Sequence, residues 1–222
     1  MSIRKISFTE GEFYHIYNRG NDKRLIFHDK QDHDYFVSLL FIANSKEAFN
    51  IVRLMRNANS SIFSVPVEQD LVSIGAYVLM PNHFHILIAQ KIEGGISKFM
   101  QKVCTGYVMY YNKKYKHSGS LFEGKFKSKH LDTDKYLKYI FSYIHLNPIK
   151  LINKFWKEDG IKDKDKSLKF LNDYKYSSFI DYFLDFSREE SVILSPEYFP
   201  RYFSNEKSFY KEIVEWLSFK MY

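Results

Sequence analysis

The chain has 222 residues and a formal net charge of +7, from 33 lysines and arginines against 26 acidic residues. Its 45% hydrophobic and 18% aromatic content excludes an intrinsically disordered chain, because burial of that much apolar surface offsets the entropy of ordering. The single Cys104 excludes an intramolecular disulfide and a cysteine-rich zinc site, and with no signal-like start we expect a cytoplasmic protein.

Hydrophobic periodicity predicts strands and helices in a clear order along the chain. The pattern indicates a strand at 12–19, a helix at 29–45, a hairpin of strands at 72–79 and 83–89, a long helix at 95–115, a short strand at 126–130 and a helix at 133–146. Residues 46–70 have no clear period and are interpreted as an insertion, with a short helix at 51–55 as one reading. After residue 150 we expect a charged linker at 157–169, an aromatic stretch at 174–186 and a terminal helix at 208–219.

The uncharged stretch of 20 residues from 71 to 90 has the length of a membrane span. It contains five polar or helix-breaking residues, which are Pro81, Asn82, His83, His85 and Gln90. A helix in lipid would leave several of these groups without hydrogen bonds, whereas two strands that turn at residues 80–82 would not. We therefore predict a hairpin and no membrane partner.

The order β-α-β-β-α-β followed by a helix predicts an α+β fold. It is the connectivity of a ferredoxin-like or RRM-like sandwich, in which helices cover a four-stranded antiparallel sheet. We expect residues 1–150 to form a catalytic domain that ends in a helix with catalytic residues. Residues 151–222 would form a C-terminal extension with a helical tail, lying on or beside that domain.

Positive charge is concentrated between residues 98 and 138, where ten lysines and three acidic residues give a surplus of seven. Because aromatic residues are interleaved with these lysines, the segment suits a phosphate backbone flanked by stacked bases, although a solvated lysine-rich face is an equal alternative. An anionic membrane surface is disfavoured by the lack of a basic amphipathic helix. The candidate DNA-binding residues are Arg19, Lys23, Arg24, Lys113, Lys114, Lys125, Lys127 and Lys129. The last three alternate on a predicted strand and should share one face.

Two elements carry residues suited to a metal site. His83 and His85 are two apart on a strand, so both imidazoles project from one face. Tyr143 and Asn147 are four apart on the final helix and also share a face, whereas His145 points elsewhere. Two imidazoles and an amide oxygen leave open positions on a divalent ion and suit Mg²⁺ or Mn²⁺ better than structural zinc. Among 18 tyrosines, spacing alone does not single out Tyr143; its rivals are Tyr107, Tyr110, Tyr111, Tyr136 and Tyr139.

Several motifs together resemble a known family. Residues 79–87 (LMPNHFHIL), 110–112 (YYN) and 143–150 (YIHLNPIK) are similar to the REP-associated tyrosine transposases, which belong to the HUH single-strand transposases of insertion-sequence-200-like type. Further similarity lies in residues 14–20 (YHIYNRG), 118–126 (SGSLFEGKF) and 174–178 (YKYSS). The resemblance spans residues 12 to about 182; the long stretch at 46–70 and the tail at 187–222 depart from it.

The resemblance implies that His83 and His85 are metal ligands, that Asn147 is the third ligand and that Tyr143 is the single nucleophile. The implied enzyme cleaves and rejoins single-stranded or hairpin-flanking DNA through a 5′-phosphotyrosine, as a monomer or a homodimer. A phenol of pKa near 10 is only about one part in a thousand ionised at pH 7. The metal would therefore have to polarise the scissile phosphate and stabilise the charge that develops on it, so that a weak nucleophile can react.

Two other functions remain open on the sequence alone. One is a non-catalytic or domesticated nucleic-acid-binding protein on the same fold. The other is a metal hydrolase that uses water, for which no aspartate or glutamate is evidently placed as a base. His15 would approach the metal site if its strand neighbours that of His83, but we expect a hydrogen-bonded core histidine.

Overall fold

A four-stranded antiparallel sheet forms the centre of the protein. The structure is a computed structural model that describes residues 7–49, 51, 53–54, 61–68, 70–183, 187–200 and 206–218. The strands are β1 (Phe13–Arg19), β2 (Val72–Met80), β3 (His83–Gln90) and β4 (Lys127–His130), in the order β2-β3-β1-β4. Every neighbouring pair is antiparallel, which confirms the predicted α+β architecture.

The helices agree closely with the predicted ones up to residue 146. They are α1 (Lys30–Ile42), α2 (Gly95–Tyr115) and α3 (Asp134–Leu146), and a 3-10 turn at Asn147–Leu151 follows α3. Asp29 caps α1 and Thr133 caps α3, each by accepting a hydrogen bond from a backbone N–H of the first turn. The C-terminal part contains α4 (Trp156–Asp159), α5 (Lys164–Asp173), α6 (Phe179–Phe183) and α7 (Glu206–Ser218).

The sheet is covered on both faces, so the fold has three layers. On one face, Ile16, Phe84 and Ile86 pack with side chains of α1 and α2. On the other face, Val78 and Leu87 pack with side chains of α3 and of the C-terminal helices. Because β2 and β3 are buried on both faces almost throughout, neither strand has room for a charged side chain. This explains the uncharged stretch at 71–90, and none of the described helices is both long and apolar enough to span a bilayer.

The prediction of a charged linker at 157–169 is wrong, because most of α4 and the first six residues of α5 fall within this stretch. Asp163 caps α5 by accepting a hydrogen bond from the backbone N–H of Lys166, at 2.9 Å. Leu168 and Leu171, three residues apart, are buried in the core on the α3 side of the sheet. Lys164, Asp165, Lys166 and Lys169 lie on the exposed face of this short amphipathic helix.

The insertion at 46–70 is described only in part. Ile51 and Ile62 are buried in the core between the sheet and α1, and a 3-10 turn spans Ile62–Ser64. Residues 52 and 55 of the predicted short helix at 51–55 lie outside the described residues, as does residue 219 of the predicted terminal helix. The boundary at residue 150 between a domain and an extension stays a prediction.

The free edge of β2 is covered by the segment 176–178. The backbone N–H of Leu79 donates to the carbonyl of Tyr176 at 2.9 Å, and the N–H of Ser178 donates to the carbonyl of Tyr77 at 3.0 Å. The Ser178 hydroxyl in turn accepts from the N–H of Tyr77 at 2.9 Å. The YKYSS motif therefore acts as an added edge segment of the sheet.

Candidate active site

The β2–β3 hairpin presents two imidazoles at the end of the sheet. The turn at Pro81–Asn82 leads directly into β3, and His83 and His85 project from the face covered by α3. Their ring centroids are 5.0 Å apart and the ring planes are nearly perpendicular. Because the residues are two apart on a strand, the shared face follows from the strand itself.

Each imidazole is held by a hydrogen bond at Nδ1. His83 Nδ1 lies 2.6 Å from Asn82 Oδ1, and His85 Nδ1 lies 2.8 Å from His15 Nε2. An amide oxygen only accepts, so His83 carries its proton on Nδ1 and has a lone pair on Nε2. With its proton on Nδ1, His85 donates to His15 and likewise presents its Nε2 lone pair.

Burial keeps both imidazoles neutral near pH 7. It lowers the pKa of His83 to about 4, with smaller contributions from Arg19 and Lys150. Burial lowers the pKa of His85 well below its usual value, and the neighbouring His15 adds to the effect. His85 Nε2 is buried and has no hydrogen-bond partner among the described residues. A neutral imidazole with a buried, unpartnered nitrogen is suited to ligating a metal ion.

Asn147 adds an oxygen at the end of α3. It is 3% exposed, and its Oδ1 is a second buried atom without a hydrogen-bond partner in the described part of the chain. Its carboxamide lies close enough to favour the protonated form of His83 and the ionised form of Tyr143. The two orphaned atoms, one nitrogen and one oxygen, fit the predicted donor set for a divalent ion. No group of three His, Cys, Asp or Glu side chains suited to a metal was found among the described residues, so a metal site here would need Asn147 as third donor.

Tyr143 lies beside these donors. Its ring centroid is 5.4 Å from that of His85 and 6.3 Å from that of His15. Burial raises the pKa of Tyr143, while Asn147 and Arg19 act in the opposite direction. Among the rival tyrosines, Tyr107, Tyr110 and Tyr111 belong to α2 on the opposite face of the sheet, and Tyr136 and Tyr139 lie further back along α3.

Lys157, from α4, lies over Tyr143 with its Nζ 3.8 Å from the ring centroid. Burial and the nearby Lys150 lower the pKa of Lys157 to about 8. The ammonium form is therefore still the major form at pH 7, where it faces the π-electrons of the ring. An ammonium in this position stabilises negative charge that develops on the phenol.

A cleft of about 340 Å³ surrounds these groups. Five of its residues are basic and two are acidic: Arg19, Lys127, Lys150, Lys154, Lys157, Glu123 and Glu158. Tyr17 and Trp156 supply aromatic surface. No aspartate or glutamate was evident in the sequence as a base for water, and two glutamates, Glu123 and Glu158, line this cleft. Glu123 is paired with Lys127 at 3.6 Å.

Of the predicted DNA-binding residues, Arg19 and Lys127 line the cleft. Lys129 is exposed two residues further along β4, on the same face as Lys127. Lys125 precedes β4, so the prediction that all three lysines alternate on one strand is wrong for Lys125. Gly124, which takes a positive φ of 130°, lies in the turn that precedes β4.

The remaining predicted contacts lie away from the cleft. Lys23 and Arg24 follow β1, and the Arg24 guanidinium lies 2.9 Å from His117 Nε2. Lys113 and Lys114 are on α2, on the opposite face of the sheet. Their roles in DNA binding stay predictions.

Lys114 has a structural role. Its Nζ lies 2.7 Å from both an Asp29 oxygen and an oxygen of the fully buried Asp32. Burial alone would raise the pKa of Asp32, but hydrogen bonds from Lys114 and from the backbone N–H of His28 outweigh it, and the pKa stays below its usual value. The charge of Lys114 is therefore already neutralised within the protein.

His15 and His145 differ in their relation to the site. His15 is buried and hydrogen-bonded as expected, but the disfavoured alternative also holds, because β1 pairs with β3 and the partner of His15 is His85. His145, also on α3, is fully buried and does not line the cleft. Its Nε2 lies 2.8 Å from the Ser178 hydroxyl. Sequence reasoning missed the basic wall formed by Lys150, Lys154 and Lys157. Lys150 is in the 3-10 turn after α3, Lys154 is in the next turn and Lys157 is in α4, so no periodicity within one element could have identified them.

The comparison with protein families assigns the chain. Residues 33–147, just over half of the chain, match the model described as "Transposase IS200 like", and the chain therefore belongs to this family. Membership implies a nuclease activity related to DNA transposition. His83, His85, Tyr143 and Asn147 all fall within the matched residues, whereas Lys157 lies outside them.

A solved structure shares the fold. The structure of a REP-associated tyrosine transposase bound to a REP hairpin matches with a TM-score of 0.51 and 12% sequence identity, covering 86% of this chain and 90% of that chain. At this identity the likeness concerns the fold. No curated protein matches the chain.

Proposed function

We propose that this protein is a metal-dependent single-stranded DNA endonuclease and strand transferase that acts through Tyr143. One observation carries the proposal. Two buried donor atoms, His85 Nε2 and Asn147 Oδ1, have no hydrogen-bond partner in the described part of the chain and lie beside a tyrosine in a cleft with a basic wall. Family membership and the fold shared with a hairpin-bound transposase support DNA as the substrate.

The residues present fit a divalent ion. His83, His85 and Asn147 would hold Mg²⁺ or Mn²⁺, and a bound ion supplies Lewis-acid stabilisation of charge on the scissile phosphate. His15 and Asn82 fix the two imidazoles through their Nδ1 atoms, so that both Nε2 lone pairs are available. The two imidazoles are thus already oriented as donors in the absence of a ligand.

In the proposed reaction Tyr143 Oη attacks the phosphorus. A bond forms between Oη and phosphorus, and the bond from phosphorus to the 3′ oxygen of the preceding nucleotide breaks. The phenol proton is transferred overall to that oxygen, which leaves a free 3′-OH and a 5′-phosphotyrosine. Attack of a 3′-OH on the phosphotyrosine reverses these changes and rejoins the strands. The ester bond energy is retained, so no nucleotide cofactor is consumed.

The basic residues of the cleft have two roles in this scheme. Arg19, Lys150 and Lys154 attract and position the phosphate backbone. Lys157 stabilises the phenolate that Tyr143 becomes as it reacts, because its ammonium lies over the ring. The substrate is single-stranded DNA next to a hairpin, as the backbone must enter between α3 and the sheet.

The two glutamates of the cleft keep a water-using metal hydrolase as a second candidate. Glu123 or Glu158 could act as a general base on water. In that case Tyr143 would be dispensable. A non-catalytic nucleic-acid-binding protein is the third reading and would have no need of the orphaned donors.

Tyr143→Phe separates the three functions. The purified protein is incubated with Mn²⁺ and labelled single strands taken from DNA flanking its coding sequence, with palindromes included. We expect wild type to form a covalent adduct that survives denaturing electrophoresis, and EDTA to abolish it. Tyr143→Phe should bind the same strands and form no adduct.

Tyr198→Phe is the matched control, because this half-exposed ring lies over Lys91 and outside the cleft. It should retain full adduct formation. Metal-dependent cleavage that persists in Tyr143→Phe would identify a hydrolase, and absence of cleavage by wild type on every palindromic strand would favour a binding protein.

A further inference from the structure

A row of three tyrosines runs along α3, away from the cleft. Tyr136, Tyr139 and Tyr143 are spaced by three and four residues, so they share one side of the helix. Neighbouring ring centroids are 6.3 and 6.2 Å apart, with interplanar angles of 22° and 6°. All three are only partly buried. The proposed nucleophile is therefore the first ring of an aromatic row.

The C-terminal helix contacts the middle ring of this row. Trp216 of α7 contacts Tyr139, with ring centroids 5.6 Å apart. Its Nε1–H donates to Glu212 Oε1 at 3.2 Å, which fixes the indole and satisfies its one polar group. Between α3 and Trp216 lies a slot of about 340 Å³, lined by Thr133, Lys135, Tyr136, Lys138, Tyr139 and Trp216.

The chemistry of the slot favours one kind of occupant. Its surface is aromatic and its rim carries the lysines Lys135 and Lys138. Aromatic faces next to positive side chains suit a nucleobase with its attached phosphate, since the base stacks while the phosphate meets the lysines. An apolar peptide side chain would find the same aromatic surface but would gain nothing from the lysine rim.

We propose that this slot binds a base of the single strand on which Tyr143 acts, one or two nucleotides from the cleaved phosphate. The inference rests on the proposed function for the identity of the strand. It goes further by assigning a base-stacking subsite to Tyr139 and Trp216. Trp216 lies outside the residues matched by the family model, so this part of the subsite comes from beyond the matched region.

Fluorescence tests the subsite without any cleavage. The sequence has two tryptophans, so Trp156→Phe leaves Trp216 as the only indole. This variant is titrated, in EDTA, with an oligothymidylate and with an abasic deoxyribose-phosphate oligomer of equal length and charge. We expect the thymidine oligomer to quench the emission and the abasic oligomer to leave it unchanged. Equal responses to the two oligomers would refute the proposal.

Binding affinities give a second, independent readout. Trp216→Leu and Tyr139→Leu, each in the otherwise wild-type chain, should weaken oligothymidylate binding about tenfold by anisotropy while leaving abasic binding unchanged. Tyr198→Leu, which removes an exposed ring outside the slot, should change neither. An unchanged affinity for the oligothymidylate in both slot variants would refute the subsite, even if cleavage by Tyr143 is established. The binding test does not depend on cleavage, so the outcome of the Tyr143→Phe experiment does not affect it.

Discussion

Lys157→Met removes the ammonium over the proposed nucleophile and keeps a side chain of similar length. Two opposite unit charges about 4 Å apart attract by about 4 kcal/mol at an effective dielectric constant of about 20. The measured separation is 3.8 Å from Nζ to the ring centroid, but most of the phenolate charge is on the oxygen and the cleft is open to solvent. We therefore expect about half of that value, roughly 2 kcal/mol, to be lost in the transition state.

A loss of this size lowers the rate of adduct formation about 30-fold. The assay is a single-turnover measurement with protein in excess over a labelled strand, so that DNA binding does not limit the rate. Lys154→Met is the charge-matched control, because Lys154 lines the same cleft but its ammonium lies over Phe155. Equal rate losses in the two variants would refute the reasoning, since only the general attraction of DNA would then be involved.

The pH dependence gives a further signature. Because burial and Lys150 lower the pKa of Lys157 to about 8, its ammonium form is nearly complete at pH 6 and is lost as the pH rises through 8. Lys150 and Glu158 are the charged groups that act on it, in opposite directions. The advantage of wild type over Lys157→Met should therefore be full at low pH and decline above pH 8. A ratio that does not change with pH would contradict this role.

Two further substitutions test the site and the fold. His15→Ala removes the partner of His85 Nδ1, and we expect Mn²⁺ affinity measured by calorimetry to fall at least tenfold, with an unchanged value counting against the donor set. Lys114→Met leaves the fully buried Asp32 without its cation. We expect the free energy of unfolding, measured in urea, to fall by about 2 to 3 kcal/mol. This loss is smaller than for a fully buried ion pair, because two tyrosine hydroxyls still donate to the carboxylate. The exposed Lys113→Met is its control on the same helix, and a stability loss equal for both would contradict the structural role of Lys114.

Local periodicity was sufficient to predict which candidate side chains share a face. A spacing of two on a strand places His83 and His85 on one face, and a spacing of four on a helix does the same for Tyr143 and Asn147. Both relations are set by backbone geometry within one element. The family resemblance then joined the two elements, and the structure places their side chains around one cleft.

The wall of the cleft could not be predicted in the same way. Lys157 reaches Tyr143 only because the chain turns back after Pro148, and its pattern was hidden among the charges of a supposed linker. The two glutamates of the cleft come from separate segments, because Glu123 lies in the turn before β4 and Glu158 lies in α4. The hydrogen bond between His15 and His85 depends on the pairing of β1 with β3, which is a long-range feature.

The segment at 176–178 has a consequence for how copies of the protein can meet. An outermost strand normally offers unpaired amides that recruit a strand from another molecule. Here the N–H groups of Leu79 and Tyr77 on β2 already donate to the Tyr176 carbonyl and the Ser178 hydroxyl. A strand of another copy therefore cannot pair with β2 at residues 77–79.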